Sequence, residues 1–84
     1  MIAETRETML ALTESEFADY IRSVIRELEQ NPTKENCDLA TYVMANLPGR
    51  PRNPEEEDLY DALWDAMFTL NTKLHQAAKT QVPA

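Results

Sequence analysis

Glycine occurs once, at position 49, and prolines stand only at 32, 48, 51, 54 and 83, so long stretches of the chain carry no residue that interrupts a helix. An interior proline costs a helix about 3 kcal/mol and an interior glycine about 1 kcal/mol, so such residues mark where helices stop. Strands would need turns every few residues, and those turns draw on Gly, Pro and Asn. The placement therefore predicts an all-α chain: a small three-helix bundle with antiparallel helix neighbours, broken near Asn31-Pro32-Thr33 and again across 48–53.

Local signals place the boundaries. Thr13-Glu14-Ser15-Glu16 is a capping-box pattern, and Leu12 with Phe17 has the spacing of a hydrophobic staple. Phe17, Tyr20, Ile21, Val24, Ile25 and Leu28 follow at three- and four-residue steps, which predicts a first helix over about 13–30. Pro32 pushes Asn31 out of helical dihedrals, and either Asn31 or Thr33 can cap the next helix. Leu39, Ala40, Val43 and Leu47 give that helix an apolar stripe with Tyr42 and Met44 beside it. Residues 48–53 read as a stiff, basic, exposed loop. Asn53, Pro54 and Glu56 then supply a cap, a first-turn proline and an acid three residues after the cap. A third helix is expected to about 78. Met9, Leu10 and Leu12 allow a short amphipathic lead-in helix, while 1–8 and 79–84 are expected to fray. The expected organisation is one helical domain over 1–84 with its core in about 13–78.

Composition narrows the function. The 43% apolar content is globular, yet 84 residues bury only about 60 to 65% of their unfolded surface, so a second copy or a partner would add useful stability. A net charge of -7 opposes direct binding to nucleic-acid phosphates or anionic lipid. Cys37 is the only cysteine, and neither a secretory leader nor an 18-residue apolar run is present, which points to a reducing, cytoplasmic setting without membrane insertion. Cys37 reads as a packing residue and His75 as a solvent-facing one, since neither has the companions that nucleophilic catalysis or metal binding requires. Asp58, Asp61 and Asp65 share a helix face without further ligands and read as a solvated acidic surface. Phosphate loops, dinucleotide glycine sets and zinc spacings are missing. A non-enzymatic chain with no cofactor and no metal is expected.

The last helix carries more apolar surface than two neighbours can hide. At 100° per residue, Leu59, Leu63, Ala66, Met67, Leu70 and Leu74 fill one sector that serves as core. Tyr60, Trp64 and Phe68 form a separate aromatic strip on the adjoining sector, bordered by Asp58, Asp61 and Asp65, with Glu57 nearby. One reading folds the second helix or the N-terminal segment over the rings. The other leaves Trp64 and a neighbour accessible as an anchor, because Trp and Tyr are enriched at binding hot spots. An acidic border selects a partner with a basic surface, and the same strip offers a face for a homodimer.

Leu12-Thr13-Glu14-Ser15-Glu16-Phe17, continued by Ile21 and Ile25, resembles the first-helix opening of colicin- and pyocin-type nuclease immunity proteins, which are small acidic helical inhibitors. Pro54-Glu55 and Trp64 are similar to their last helix, whereas Leu47 to Asn53 has no counterpart to their short toxin-binding helix. The hydrophobic spacing of Asn36 to Leu47 and Asp58 to Leu70 resembles that of small biofilm and acid-resistance regulators of enterobacteria. The first resemblance implies an inhibitor and the second a regulator.

The expectation is an acidic protein-binding inhibitor or regulator of phage, plasmid or bacterial type. It would dock on a basic partner surface through Tyr60, Trp64, Phe68, Glu57, Asp58, Asp61 and Asp65, and compete with nucleic acid where the target holds it. Two alternatives are a dimeric transcription- or biofilm-linked regulator using Arg50, Arg52 and Lys34, and a structural assembly subunit or chaperone.

Overall fold

The computed structural model describes residues 5–80, with side chains through Ala77. Four helices make up the described chain: α1 (Arg6–Ala11), α2 (Glu14–Gln30), α3 (Lys34–Ala45) and α4 (Pro54–Thr80). The all-helical bundle anticipated from the breaker pattern is present, with α2, α3 and α4 packed on one another. Short connections make α3 antiparallel to both long helices and leave α2 parallel to α4, the required result for three helices in an up-down-up order. The core is Met9, Phe17, Ile21, Val24, Leu28, Ala40, Val43, Leu47, Leu63 and Leu70.

Each helix begins on a side-chain cap. Thr13 accepts the Glu16 amide at 3.1 Å and its own amide donates to Glu16 Oε1 at 2.9 Å, the reciprocal arrangement expected for α2. The backbone and side-chain hydrogen bonds from Thr13 hold the Glu16 carboxyl below the usual carboxylate range. Thr33, one of the two candidate caps, starts α3 by accepting the Asn36 amide at 3.2 Å. Asn36 Nδ2 donates to the Asn31 carbonyl at 2.7 Å, which ties the end of α2 to the start of α3. Asn53 Oδ1 accepts the Glu56 amide at 2.9 Å at the head of α4.

Two expectations need correction. The first concerns 1–8, expected to fray. Residues 1–4 lie outside the described residues, but Thr5 caps α1 through a reciprocal pair with Thr8, and Met9 is fully buried. Six residues are too few for an independent helix, so α1 forms because Met9 inserts into the core and its last carbonyls find donors. At the other end, Lys79 and Thr80 belong to α4, and the remainder of 79–84 lies outside the described residues.

The second concerns the loop at 48–53, whose central side chain is not exposed. Arg50 is 1% exposed. Its Nε and Nη2 donate to Glu56 at 3.2 and 3.0 Å, and Nη1 donates to the carbonyls of Met9 (2.9 Å), Leu10 (3.4 Å) and Leu12. Nη2 also donates to the Thr13 carbonyl at 3.2 Å, and the guanidinium carbon lies 4.5 Å from the centroid of the Phe17 ring. Burying a charge this fully requires a countercharge and hydrogen bonds for every donor, and Glu56 with the four carbonyls supplies both. The exposed Arg52 also donates to the Leu10 carbonyl. The turn that brings Arg50 inward uses Gly49 at φ +88°, a region where a side chain is strained.

Helix α4 outlasts its neighbours. Its 27 residues span about 40 Å, whereas the 17 of α2 span about 25 Å. The molecule is accordingly elongated, 50 × 22 × 20 Å.

Candidate functional site

Leu63 and Leu70 anchor α4 in the core, with Leu59, Ala66, Met67 and Leu74 half-buried around them. Rotation by 100° per residue then fixes what each flank faces. On one flank Met67 Sδ accepts from Thr41 of α3 at 3.7 Å, and Tyr60 shares a cleft with Met44, Leu47, Pro48, Gly49 and Pro51. Tyr60 is therefore half-buried under the end of α3 and the loop that follows it. Trp64 and Phe68 lie further round the cylinder and escape that cover, at 49% and 63% exposure.

Of the three rings in the strip, Tyr60 is thus shielded while Trp64 and Phe68 are open. Tyr42, expected beside the stripe of α3, is also open at 47%. An exposed indole and phenyl one turn apart leave apolar area in water that neighbouring helices normally take.

The four acids divide around the same helix. Glu57 and Asp61 are exposed and occupy the angular sector of Trp64 and Phe68. Asp58 and Asp65 are exposed as well, but reach toward α2: Asp58 lines a cleft with Glu14, Ala18 and Arg22, and Asp65 lines one with Ile25, Glu29 and Lys73. Among the described residues the one ion pair within 4 Å is Arg50–Glu56, so these four carboxylates have no cation of their own at that distance. The result is a negative arc with two uncovered rings on its edge.

The other residues singled out in the sequence stand apart from this arc. Cys37 is half-buried beside the core, and its carbonyl accepts from Thr41 Oγ1 at 3.0 Å. His75 is exposed toward the far end of α4. No group of three or more potential ligands among the described residues could hold a metal ion, and no described helix is long and apolar enough to cross a membrane.

Arg50 is the side chain that local sequence reading misplaced. A Glu three residues after an Asn-Pro cap gave the location of Glu56, but nothing in the sequence distinguished it from Glu55 and Glu57 as the buried partner. Compared with known proteins, the chain matches no family model, no curated protein and no solved structure.

Proposed function

We propose that this chain is a non-enzymatic, acidic inhibitor or regulator that docks on the basic surface of a partner protein. The observation that carries the reading is the open pair Trp64 and Phe68 at the edge of an arc formed by Glu57, Asp61, Asp65 and Asp58, none of which has a cation within ion-pair distance among the described residues. Burying an aromatic anchor is worth about 2 kcal/mol or more at an interface hot spot. The carboxylates act at longer range: they steer a Lys- and Arg-rich surface into register and discourage acidic competitors. Tyr60 supports the anchor from beneath, because its ring already rests on the end of α3.

A target whose basic groove holds nucleic acid would meet the same arc, and the carboxylates would then compete with phosphates. Toxin neutralisation and inhibition of a nucleic-acid-handling defence enzyme both fit this chemistry. The alternative of a nucleic-acid-binding regulator loses one of its main donors, because Arg50 is buried in its ion pair, which leaves the exposed Arg52 and Lys34.

The test begins with affinity capture from the native cell, followed by binding kinetics with the captured protein. Trp64→Ala should weaken capture about thirtyfold, matching an anchor of about 2 kcal/mol, while unfolding free energy changes by less than about 1 kcal/mol. Replacing Asp58, Asp61 and Asp65 together by Asn should slow association and flatten its salt dependence. Equal loss of capture and stability on Trp64→Ala, or an on-rate indifferent to the three Asn substitutions, refutes the proposal.

A further inference from the structure

Six residues of α4, Glu57, Asp61, Trp64, Phe68, Asn71 and His75, follow one another at steps of four, three, four, three and four, and every one of them is exposed. That spacing matches the seam of a left-handed coiled coil, in which alternate three- and four-residue steps keep one face turned toward a companion helix, here with an apolar centre at Trp64 and Phe68 and two polar positions on either side. The seam has a symmetry of its own. Its midpoint falls between Trp64 and Phe68, and each position on the N-terminal side has a counterpart equally far on the C-terminal side.

We infer that the seam is closed, in the free protein, by α4 of a second copy running antiparallel about a two-fold axis at that midpoint. Trp64 then packs on the partner's Phe68, and Phe68 on the partner's Trp64. Asp61 faces the partner's Asn71, whose side-chain amide donates to it, and Glu57 faces the partner's His75, whose ring N–H donates. Every polar position of the seam meets a complementary one. A parallel pairing in register would instead set Glu57 against Glu57 and Asp61 against Asp61, which is repulsive.

Charge along the whole helix favours the same orientation. Between 54 and 65 Glu57 and Asp61 lie on the seam face and, apart from the paired Glu56, no acid has a cation within 4 Å among the described residues, whereas between 66 and 80 there is no acid. Antiparallel pairing lays one half on the other. The net charge of -7 per copy opposes association, but at physiological ionic strength screening over about 8 Å leaves the close pairs dominant. The length of α4 makes the geometry accessible: Lys73 lines a cleft with Glu29 in the last turn of α2, and the turns of α4 beyond it can reach across the head of another α4.

The inference uses the face assigned above to the basic partner, and adds that this partner must displace a second copy to reach it. Sedimentation equilibrium of the full chain should show a monomer–dimer equilibrium. His75→Glu should weaken the dimer roughly tenfold by setting carboxylates face to face twice per dimer, and adding Glu57→Lys to that variant should restore it. With Cys37 replaced by Ser and a spin label at position 76, which is exposed and off the seam, the two labels should lie about 30 Å apart along the helix axis; a parallel pair in register would leave no separation along it.

A chain that stays monomeric throughout the micromolar range, a short label distance, or a double variant no better than His75→Glu overturns the pairing. Trp64→Ala with unchanged far-UV circular dichroism separates loss of the dimer from loss of the fold. A monomeric wild type that still needs Trp64 to hold a basic partner would sink the pairing alone. A dimer whose Trp64→Ala variant holds that partner undiminished would sink the docking function alone.

Discussion

Replacing Arg50 by Ala is the perturbation with the largest effect that the structure specifies. Arg50 is 1% exposed and the Glu56 side chain 3%, and no other cation stands within 4 Å of Glu56 among the described residues. The substitution leaves a buried carboxylate without its countercharge, strips four carbonyls of a donor and removes the cation from the face of Phe17. Removing one member of a buried ion pair costs about 3 to 5 kcal/mol, because the remaining charge is not rehydrated. A domain of 84 residues has a total stability of about 4 to 13 kcal/mol, so the variant should lie near its unfolding midpoint in water or well toward it.

Arg50→Lys keeps the charge but has three donors on one nitrogen in place of a planar fork, and should lose about 2 to 3 kcal/mol through unmet hydrogen bonds. Arg50→Met combined with Glu56→Leu removes both charges, so its loss should fall at least about 2 kcal/mol short of the sum of the single replacements. Urea denaturation followed by far-UV circular dichroism measures all of these values. A loss below about 1 kcal/mol for Arg50→Ala, or strict additivity in the cycle, would refute the claim that this ion pair joins the α1–α2 corner to the head of α4.

Met9→Ala should cost about 2 to 5 kcal/mol and release α1 first, which amide hydrogen exchange of residues 9–12 would register ahead of α2. Thr13→Ala should cost about 1 kcal/mol by removing the acceptor for the Glu16 amide, as read by thermal unfolding. Glu16 titrates below its ordinary range when folded, so its contribution is complete above the unfolded pKa and disappears as pH falls through the folded one. Glu16→Gln should therefore flatten stability against pH in that acidic window and leave the neutral region's slope unchanged. Gly49→Ala should lose about 1 to 2 kcal/mol through backbone strain at φ +88°, since a new Cβ would meet nothing closer than Leu10 Cδ2 at 3.9 Å.

What the sequence discloses here is what is encoded within one helical turn. The Thr13 box, the Thr33 cap and the Asn53-Pro54 start all depend on residues at most three apart, and each is found where the local pattern places it. Helix α1 is less legible, because its N3 residue is Thr8 where Glu or Gln gives the familiar signature, and because its stability comes from burying Met9 against distant elements. Arg50 is illegible for a related reason. Four of its acceptors are backbone carbonyls between 9 and 13, about forty positions away, and a carbonyl leaves no mark in a sequence.

At the candidate site, the four-residue spacing of Tyr60, Trp64 and Phe68 was readable, and so was the surplus of apolar circumference. Which ring is shielded was not. That depends on the loop after α3 folding over Tyr60, a consequence of the inward turn at Gly49 and Arg50.

The most direct test of the account is acrylamide quenching of tryptophan fluorescence, since Trp64 is the only indole in the chain. In dilute solution the ring should be readily quenched, and protection should grow as the concentration rises or a basic partner is added, with emission moving to the blue. An indole already shielded in the dilute monomer would make it core, and one equally accessible under every condition would leave it without an interface; either result contradicts the account.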